Sequence, residues 1–124
     1  MLFRSYLPQR IKVNIAPDQQ NLKFVLDRWI NMNDLGWYSG DAHVHFLSTM
    51  GAMLEAKGED LNVVNLLQSQ WGTVFTNTED FIGEPFVSQS GKNIVYTCQE
   101  NRQTPMGHLI LWGLKEPEIG RAHV

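Results

Sequence analysis

The sequence is short of the features that mark several classes of protein. It has a single cysteine, Cys98, so an internal disulfide is excluded and the redox compartment stays open. Ten Lys and Arg residues stand against 13 Asp and Glu, a net charge of −3, which argues against a nucleic-acid or anionic-membrane partner. No apolar run approaches the ~18 residues that a membrane span needs. Repeats, low-complexity tracts and glycine-rich phosphate loops are also missing.

What is there is the balance of an ordinary globular chain, with 43% apolar and 19% charged residues in a length of 124.

The first third has the pattern of a hairpin. Apolar and polar residues alternate over 11–15, which predicts a half-buried strand, and residues 17–21 predict a turn. Residues 22–30 fit a strand or a helix, and the strand and turn before them favour the hairpin. Residues 31–36 predict a loop.

A strand, a helix and a second strand are predicted over residues 38–67. Residues 37–46 have the pattern of a short strand that enters a core. Apolar residues follow at helical spacing over 47–57, and Gly58 is a suitable helix stop. Residues 61–67 predict the second strand, so the segment has the length of a βαβ unit.

Two further strands are predicted later in the chain, at residues 93–98 and 108–114, and residues 102–107 can join them as a hairpin. Residues 68–89 have few periodic apolar positions and predict mostly loop. Within them lies an acidic cluster that we interpret as solvated surface: Glu79, Asp80 and Glu84. Strands combined with an early crossover helix predict an α/β sheet rather than a sandwich.

An aspartate and two histidines stand at alternate positions, as Asp41, His43 and His45. On a strand these side chains share one face, because the side-chain period is two. The residues beside them take the opposite face and can pack under the helix: Ala42, Val44 and Phe46. Two neighbouring imidazoles suit a divalent ion such as zinc, manganese or iron. Asp41 would bind the ion or hold a histidine's other nitrogen, and two hydrogen-bonded histidines without a metal are the alternative.

The run Gly36-Trp-Tyr-Ser-Gly-Asp-Ala-His-Val-His45 resembles the opening motif of the PHP-type (polymerase and histidinol phosphatase) metal-dependent hydrolases. It is most similar to the CehA/McbA-like metallohydrolase branch. Residues 59–63 resemble that branch too. So does Glu100 followed by Met106-Gly-His-Leu-Ile110, where a glutamate ends one strand and a histidine begins the next. The resemblance covers most of residues 29–117 and implies an incomplete, distorted (β/α) barrel.

Carried onto this chain, the resemblance implies a metal centre. His43 and His45 would ligate one ion, with Asp41 supporting them. Glu100 would be the catalytic carboxylate and a ligand, shared between two ions if a second is bound. His108 would be a further ligand. Taken alone, Glu100 can equally be a solvated hairpin residue, and His108 a strand-end histidine paired with a carbonyl.

One departure from the family pattern concerns its second motif, which ends the second strand with Asp-His. This chain has Leu67-Gln-Ser-Gln-Trp71 at that place. The neutral amides of Gln68 and Gln70 are poor ligands for a transition metal. Either this branch builds its site without that pair, or the chain has lost a metal position.

These resemblances divide the chain into three segments. Residues 1–35 resemble the tail of an accessory β-rich segment, and residues 36–117 the N-terminal part of a PHP-like hydrolase domain. Residues 118–124 resemble a translated sequencing adapter, so the natural sequence is expected to be cut near Pro117, and a genuine polar tail is the alternative. The family's later ligands, a histidine and an Asp-x-His, would lie beyond that point. Since such barrels need about 200 residues, the fragment alone is expected to be inactive.

The function predicted for the full-length protein is a hydrolase that uses a metal-activated water on a small ester, amide or phosphoester. The alternative is a non-catalytic metal-binding or carbohydrate-associated module of the same fold, which the missing Asp-His pair suggests. Neither a nucleic-acid partner nor a membrane span is expected.

Overall fold

The computed structural model describes residues 5–71, 74–103 and 107–118. The chain forms two compact units, Met1–Trp37 and Tyr38–Val124. Most of the segment that resembles a sequencing adapter, residues 119–124, lies outside the described residues. Among those that are described, no helix has the length and apolar character needed to cross a membrane.

The first unit does not contain the predicted hairpin. Residues 11–15 and 22–26 form no strand, and the β structure described between residues 5 and 37 is one isolated bridge between Tyr6 and Arg28. A 3₁₀ helix, Met32–Leu35, takes the place of the predicted loop. The strand prediction at 11–15 is wrong because an alternating pattern needs a partner strand and a covered face, yet Ile15 is 69% exposed. The β-rich character expected of this segment is therefore not found in its described part.

The second unit is a mixed α/β fold, as the sequence predicted. Its described residues form one helix and six strands: β1 Gly40–Val44, α1 Thr49–Gly58, β2 Val63–Trp71, β3 Val74–Thr76, β4 Phe86–Val87, β5 Ile94–Gln103 and β6 Gly107–Leu111. The sheet has the order β1-β2-β5-β4, with β3 added beside β2 and β6 beside β5. β2 is parallel to β1 and to β5, while the other pairings are antiparallel.

Alternation along β2 and β5 divides the sheet into two faces. The helix face carries Val64, Leu66 and Val95, and the apolar side of α1 packs on it with three buried residues: Ala52, Met53 and Ala56. The site face carries Ser69, Cys98 and Glu100, each no more than 1% exposed. Apolar burial on the helix face supplies the main stabilising contact of the unit.

The helix begins where two side chains satisfy its first N–H groups. Ser48 is the N-cap, and its hydroxyl accepts a hydrogen bond from the N–H of Gly51. Asp80 accepts from both the backbone and the hydroxyl of Thr49, at 2.8 and 2.7 Å, and Asn77 donates to its other oxygen. Burial raises the pKa of Asp80, but the hydrogen bonds from Asn77 and Thr49 outweigh it, so the pKa lies below its ordinary value.

The segment predicted to be mostly loop, residues 68–89, holds more β structure than its sequence indicates. β2 continues to Trp71 and β3 turns back on it, and β4 pairs with the start of β5. Asp80 fastens the loop between them to α1, so one member of the acidic cluster has a structural role that was not predicted. Both short strands pair with a strand that is close in the sequence: β3 turns back on the end of β2, and β4 on the start of β5.

Candidate metal centre

The side chains that could hold a metal meet at one edge of the sheet. Parallel strands present their carboxyl ends at the same edge, so the end of β1 comes beside the ends of β2 and β5. His43 is the second-last residue of β1, and His45 directly follows the strand. Glu100 lies on β5, in register with Ser69 on the intervening strand β2.

One ligand atom from each of His43, His45 and Glu100 lies within 4.8 Å of the other two. Nε2 of His45 is 2.9 Å from Oε2 of Glu100, and Nε2 of His43 is 3.8 Å from Oε1. The two imidazole rings meet edge to face, with their centroids 4.9 Å apart. The structure therefore brings Glu100 beside two histidines that precede it by more than half the length of the unit.

Glu100 is the buried member of this group, since its side chain is fully excluded from solvent. The hydroxyl of Ser69 donates to Oε2 at 3.3 Å, whereas Oε1 receives no hydrogen bond. A buried carboxylate is costly unless it is paired with a cation or fully hydrogen-bonded. A buried Oε1 that has histidine nitrogens beside it but receives no hydrogen bond favours a cation at this position.

His45 is the more enclosed of the two histidines, with a side chain 15% exposed against 50% for His43. Burial lowers the pKa of His45, and the nearby carboxylate of Glu100 opposes this effect without cancelling it. The neutral ring is the form that donates a lone pair to a metal. Local electrostatics therefore favour the ligating form of His45.

Asp41 does not join the group of three. The pairing of β1 with β2 shifts between Asp41 and Val44, which inserts one extra residue and breaks the strict alternation that placed Asp41 on the histidines' face. The carboxylate instead accepts a hydrogen bond from the backbone N–H of His43, at 3.0 Å. Asp41 supports the first histidine through its backbone and not through its ring.

Two of the three residues expected to pack under the helix do not do so. Val44 packs against the helix-face core, as predicted, but Ala42 is exposed and Phe46 is 66% exposed. Phe46 also has a φ of 61°, a left-handed conformation that is costly for a bulky residue. This turn of the backbone ends β1 and leaves the ring of Phe46 against that of His45, at a centroid distance of 5.7 Å.

His108 approaches the centre from β6. Its Nδ1 lies 2.5 Å from Oε1 of Glu100, and its Nε2 accepts a hydrogen bond from Nε of Arg102 at 3.3 Å. It contacts the carboxylate but is outside the group of three whose ligand atoms lie mutually close.

Two residues near the centre were missed by sequence reasoning. Ser69 supports Glu100 from the neighbouring strand, and Arg102 contacts His108. The sequence offers no signal for Ser69, because its role depends on the register of β2 with β5. Arg102 could have been found, since it stands two residues after Glu100 on the same strand and therefore on the same face.

Near its end, β2 carries Gln68 and Ser69, where the sequence resemblance leads one to look for an Asp-His pair. Gln68 is buried, and its Oε1 has no hydrogen-bond partner. The hydroxyl of Ser69 donates to Glu100. In the described residues, β2 therefore contributes support to the centre rather than a ligand of its own.

Two imidazoles and one carboxylate form a donor set that suits a catalytic zinc or a related divalent ion, with one coordination position left open. Ligand atoms about 2.1 Å from a shared ion lie no more than about 4.2 Å apart. The widest separation allowed by the present geometry, 4.8 Å, therefore has to shrink by several tenths of an ångström. The half-exposed ring of His43 has the freedom to make that adjustment.

Comparisons of the chain with protein-family models, with curated proteins and with solved structures found no match. The case for a function therefore depends on the geometry of this centre and on the resemblance of the motifs.

Proposed function

We propose that this chain is part of a metal-dependent hydrolase in which His43, His45 and Glu100 hold a divalent ion. The observation that carries the proposal is the convergence of the three ligand atoms within 4.8 Å around a buried carboxylate oxygen that receives no hydrogen bond. The resemblance of residues 36–45 to the opening motif of the PHP-type hydrolases, CehA/McbA-like branch, supports it. The matching fold proposal is that the mixed sheet is the first part of a distorted (β/α) barrel.

A divalent ion in such a centre supplies an activated water nucleophile near neutral pH. The residues of this chain hold and orient it. Glu100 contributes the negative charge from a position shielded from solvent, where electrostatic attraction is least screened. His45, whose side chain is mostly buried, contributes a neutral ring nitrogen. His43, whose side chain is half exposed, contributes a second ring nitrogen. The substrate class we propose is a small ester, amide or phosphoester.

The test has two stages. The whole chain is first titrated with Zn²⁺, Mn²⁺ and Fe²⁺ by calorimetry under anaerobic conditions, and we expect one ion to bind per chain. His43→Ala and His45→Ala should each weaken binding by at least about 100-fold, since each removes a direct ligand. Glu59→Gln, which changes an acidic residue outside the centre, is the matched control and should bind normally.

The second stage measures hydrolysis of nitrophenyl esters and phosphoesters by the natural gene product that contains this sequence. Turnover that depends on added metal and disappears in His43→Ala supports the hydrolase. One tightly bound ion without turnover on either substrate would favour the non-catalytic metal-binding module instead. Absence of metal binding by the unaltered chain would overturn both.

A further inference from the structure

The residue that follows the second histidine has an unusual backbone. Among the described residues other than glycine, three have a positive φ: Phe46 at 61°, Asp60 at 59° and Asn77 at 58°. Aspartate and asparagine are enriched in this left-handed region, whereas a bulky aromatic residue is an outlier there. Phe46 is therefore the member of the three whose conformation requires a reason beyond its residue type.

Burial of the side chain does not supply that reason. Phe46 is 66% exposed, so little apolar surface is removed from water to offset the strained backbone. Strained residues persist where the surrounding structure imposes them, and they cluster at functional sites. Phe46 directly follows His45, so its strain lies beside a candidate metal ligand.

The positive φ brings the rings of two consecutive residues to the same side of the chain. In an extended strand the side chains of neighbours point to opposite faces. The turn at Phe46 instead sets its ring against the imidazole of His45, at a centroid distance of 5.7 Å and a tilt of 40°. This separation lies within the range of favourable aromatic pairs. The strained backbone and the ring contact are thus two parts of one arrangement.

The imidazole of His45 lacks the usual anchor of a ligating histidine. Such a residue normally keeps its orientation through a hydrogen bond from the nitrogen that does not face the metal. Nε2 of His45 faces Glu100, and Nδ1 is buried without a hydrogen-bond partner among the described groups. The carbonyl of Leu67 lies near the ring but makes no hydrogen bond of normal geometry with it. The orientation of the imidazole therefore depends on the rings that contact it, those of His43 and Phe46.

We infer that Phe46 is a positioning residue, whose strained backbone holds its ring against His45 and keeps the imidazole in the orientation that directs Nε2 at the ion. The part that concerns the ion rests on the proposed metal centre, whereas the part that concerns the orientation of the ring does not. Relieving the strain and removing the ring should then leave the fold at least as stable and weaken the centre.

This opposition of stability and affinity is tested with variants of the whole chain. Phe46→Gly should unfold without metal at the same temperature as the unaltered chain or a few degrees higher, because glycine adopts the left-handed region without strain. By calorimetry it should bind Zn²⁺ about 10- to 100-fold more weakly. Phe46→Ala, which lacks the ring but not through glycine's flexibility, should lose as much affinity, and Phe46→Tyr should retain it.

Asp60→Gly is the matched control, because it relieves the same kind of strain at the other end of α1 and should leave zinc affinity unchanged. Normal affinity in Phe46→Gly and Phe46→Ala, or a loss that Phe46→Tyr shares, would overturn the inference. A clear fall in the unfolding temperature of metal-free Phe46→Gly would overturn it too, since the ring would then serve the fold.

The orientation of the imidazole is tested without metal, by ¹³C relaxation of the His45 ring. We expect a rigid ring in the unaltered chain and in Phe46→Tyr, and a lower order parameter in Phe46→Gly and Phe46→Ala. A ring that is equally ordered in all four chains would overturn the inference. If the unaltered chain binds no zinc, the proposed function fails, and the relaxation data still decide whether Phe46 fixes the ring.

Discussion

The two faces of the sheet differ in what they bury. The helix face buries aliphatic side chains of β2 and β5 under α1, with Leu66 fully excluded from solvent. The site face buries Ser69 and Glu100 equally well, yet Oε1 of Glu100 has no hydrogen bond. Burial on the first face stabilises the fold, whereas burial on the second places an unsatisfied charge where a cation can reach it. The site face also buries Leu67 and Cys98, so the difference between the faces lies in the polar group added at the strand ends rather than in an absence of apolar burial.

The largest effect that tests this difference is expected on the helix face. Leu66→Ala removes a fully buried side chain and leaves a cavity, so we expect a loss of about 2–5 kcal/mol in the free energy of unfolding. Denaturant titration gives this value. Leu54→Ala, at a helix position that is 64% exposed, should change stability by no more than about 0.5 kcal/mol. Equal losses in the two variants would show that the helix face is not the stabilising face.

On the site face the same kind of experiment should separate binding from stability. Glu100→Gln keeps the shape of the side chain and removes its charge, so metal affinity should fall by about 100-fold or more. The metal-free variant should be as stable as the unaltered chain or more stable by about 1 kcal/mol, because a buried charge with one hydrogen-bonded oxygen is replaced by a neutral amide. Calorimetry and metal-free denaturant titration measure the two quantities.

The exposed Glu55 on α1 offers the matched control, and Glu55→Gln should alter neither metal affinity nor stability appreciably. A Glu100→Gln variant that loses several kcal/mol without metal would mean that the carboxylate is already paired within the chain. The contrast between the faces would then no longer hold.

A smaller effect is expected where the loop after β3 fastens α1 to the sheet. The pKa of Asp80 is lower in the folded chain than the ordinary carboxyl value of 3.8. Between the folded and the unfolded pKa of Asp80, the unfolded chain therefore binds more protons than the folded chain. The stabilisation by Asp80 is complete above the ordinary pKa, and it is lost as the pH falls through the lowered pKa of the folded chain. At pH 7, Asp80→Asn should lose about 0.5–1 kcal/mol.

This difference between the unaltered chain and Asp80→Asn should vanish once the pH is well below about 4. Unfolding titrations at several pH values measure it. Glu79→Gln removes a charge from the exposed neighbouring position and should produce no comparable loss at pH 7. A difference that persists unchanged in acid would show that the charge of Asp80 is not responsible.

The smallest expected effect concerns the other end of the helix. Asp60 follows α1 with a φ of 59°, a conformation that glycine adopts without strain. Asp60→Gly should therefore raise the free energy of unfolding by a few tenths of a kcal/mol, up to about 1. Lys57→Gly, within the helix, should lower it by about 0.5–1 kcal/mol. Thermal unfolding of the two variants distinguishes them, and a destabilised Asp60→Gly would contradict the argument.

The sequence allowed the second unit to be predicted better than the first. The helix was confirmed because its spacing and its stop agreed, and the four longer strands were found because they contain clear apolar runs. The strand predicted at 11–15 was wrong, since local alternation does not reveal whether a partner strand exists. β3 and β4 were missed because two- and three-residue strands carry no periodic signal.

The candidate site was predictable in its residues but not in its geometry. The spacing of His43 and His45 indicated a shared face, and the structure places both rings at the Glu100 carboxylate. The irregular pairing between Asp41 and Val44 could not be read from alternation, because an extra residue in a strand changes the face without changing the sequence pattern. The support from Ser69 depends on register across strands that are about 30 residues apart, which a single sequence does not encode locally.

The position of β2 between β1 and β5 has a consequence for how the centre comes into being. Its histidines and its glutamate are supplied by strands that never touch along their ladders, so the middle strand must be inserted in the correct register before the three donors can converge. No peptide taken from either end of the unit can reproduce the arrangement. A bound ion would link the ends of β1 and β5 across β2. Its binding would therefore indicate that these three strands are paired in the correct register.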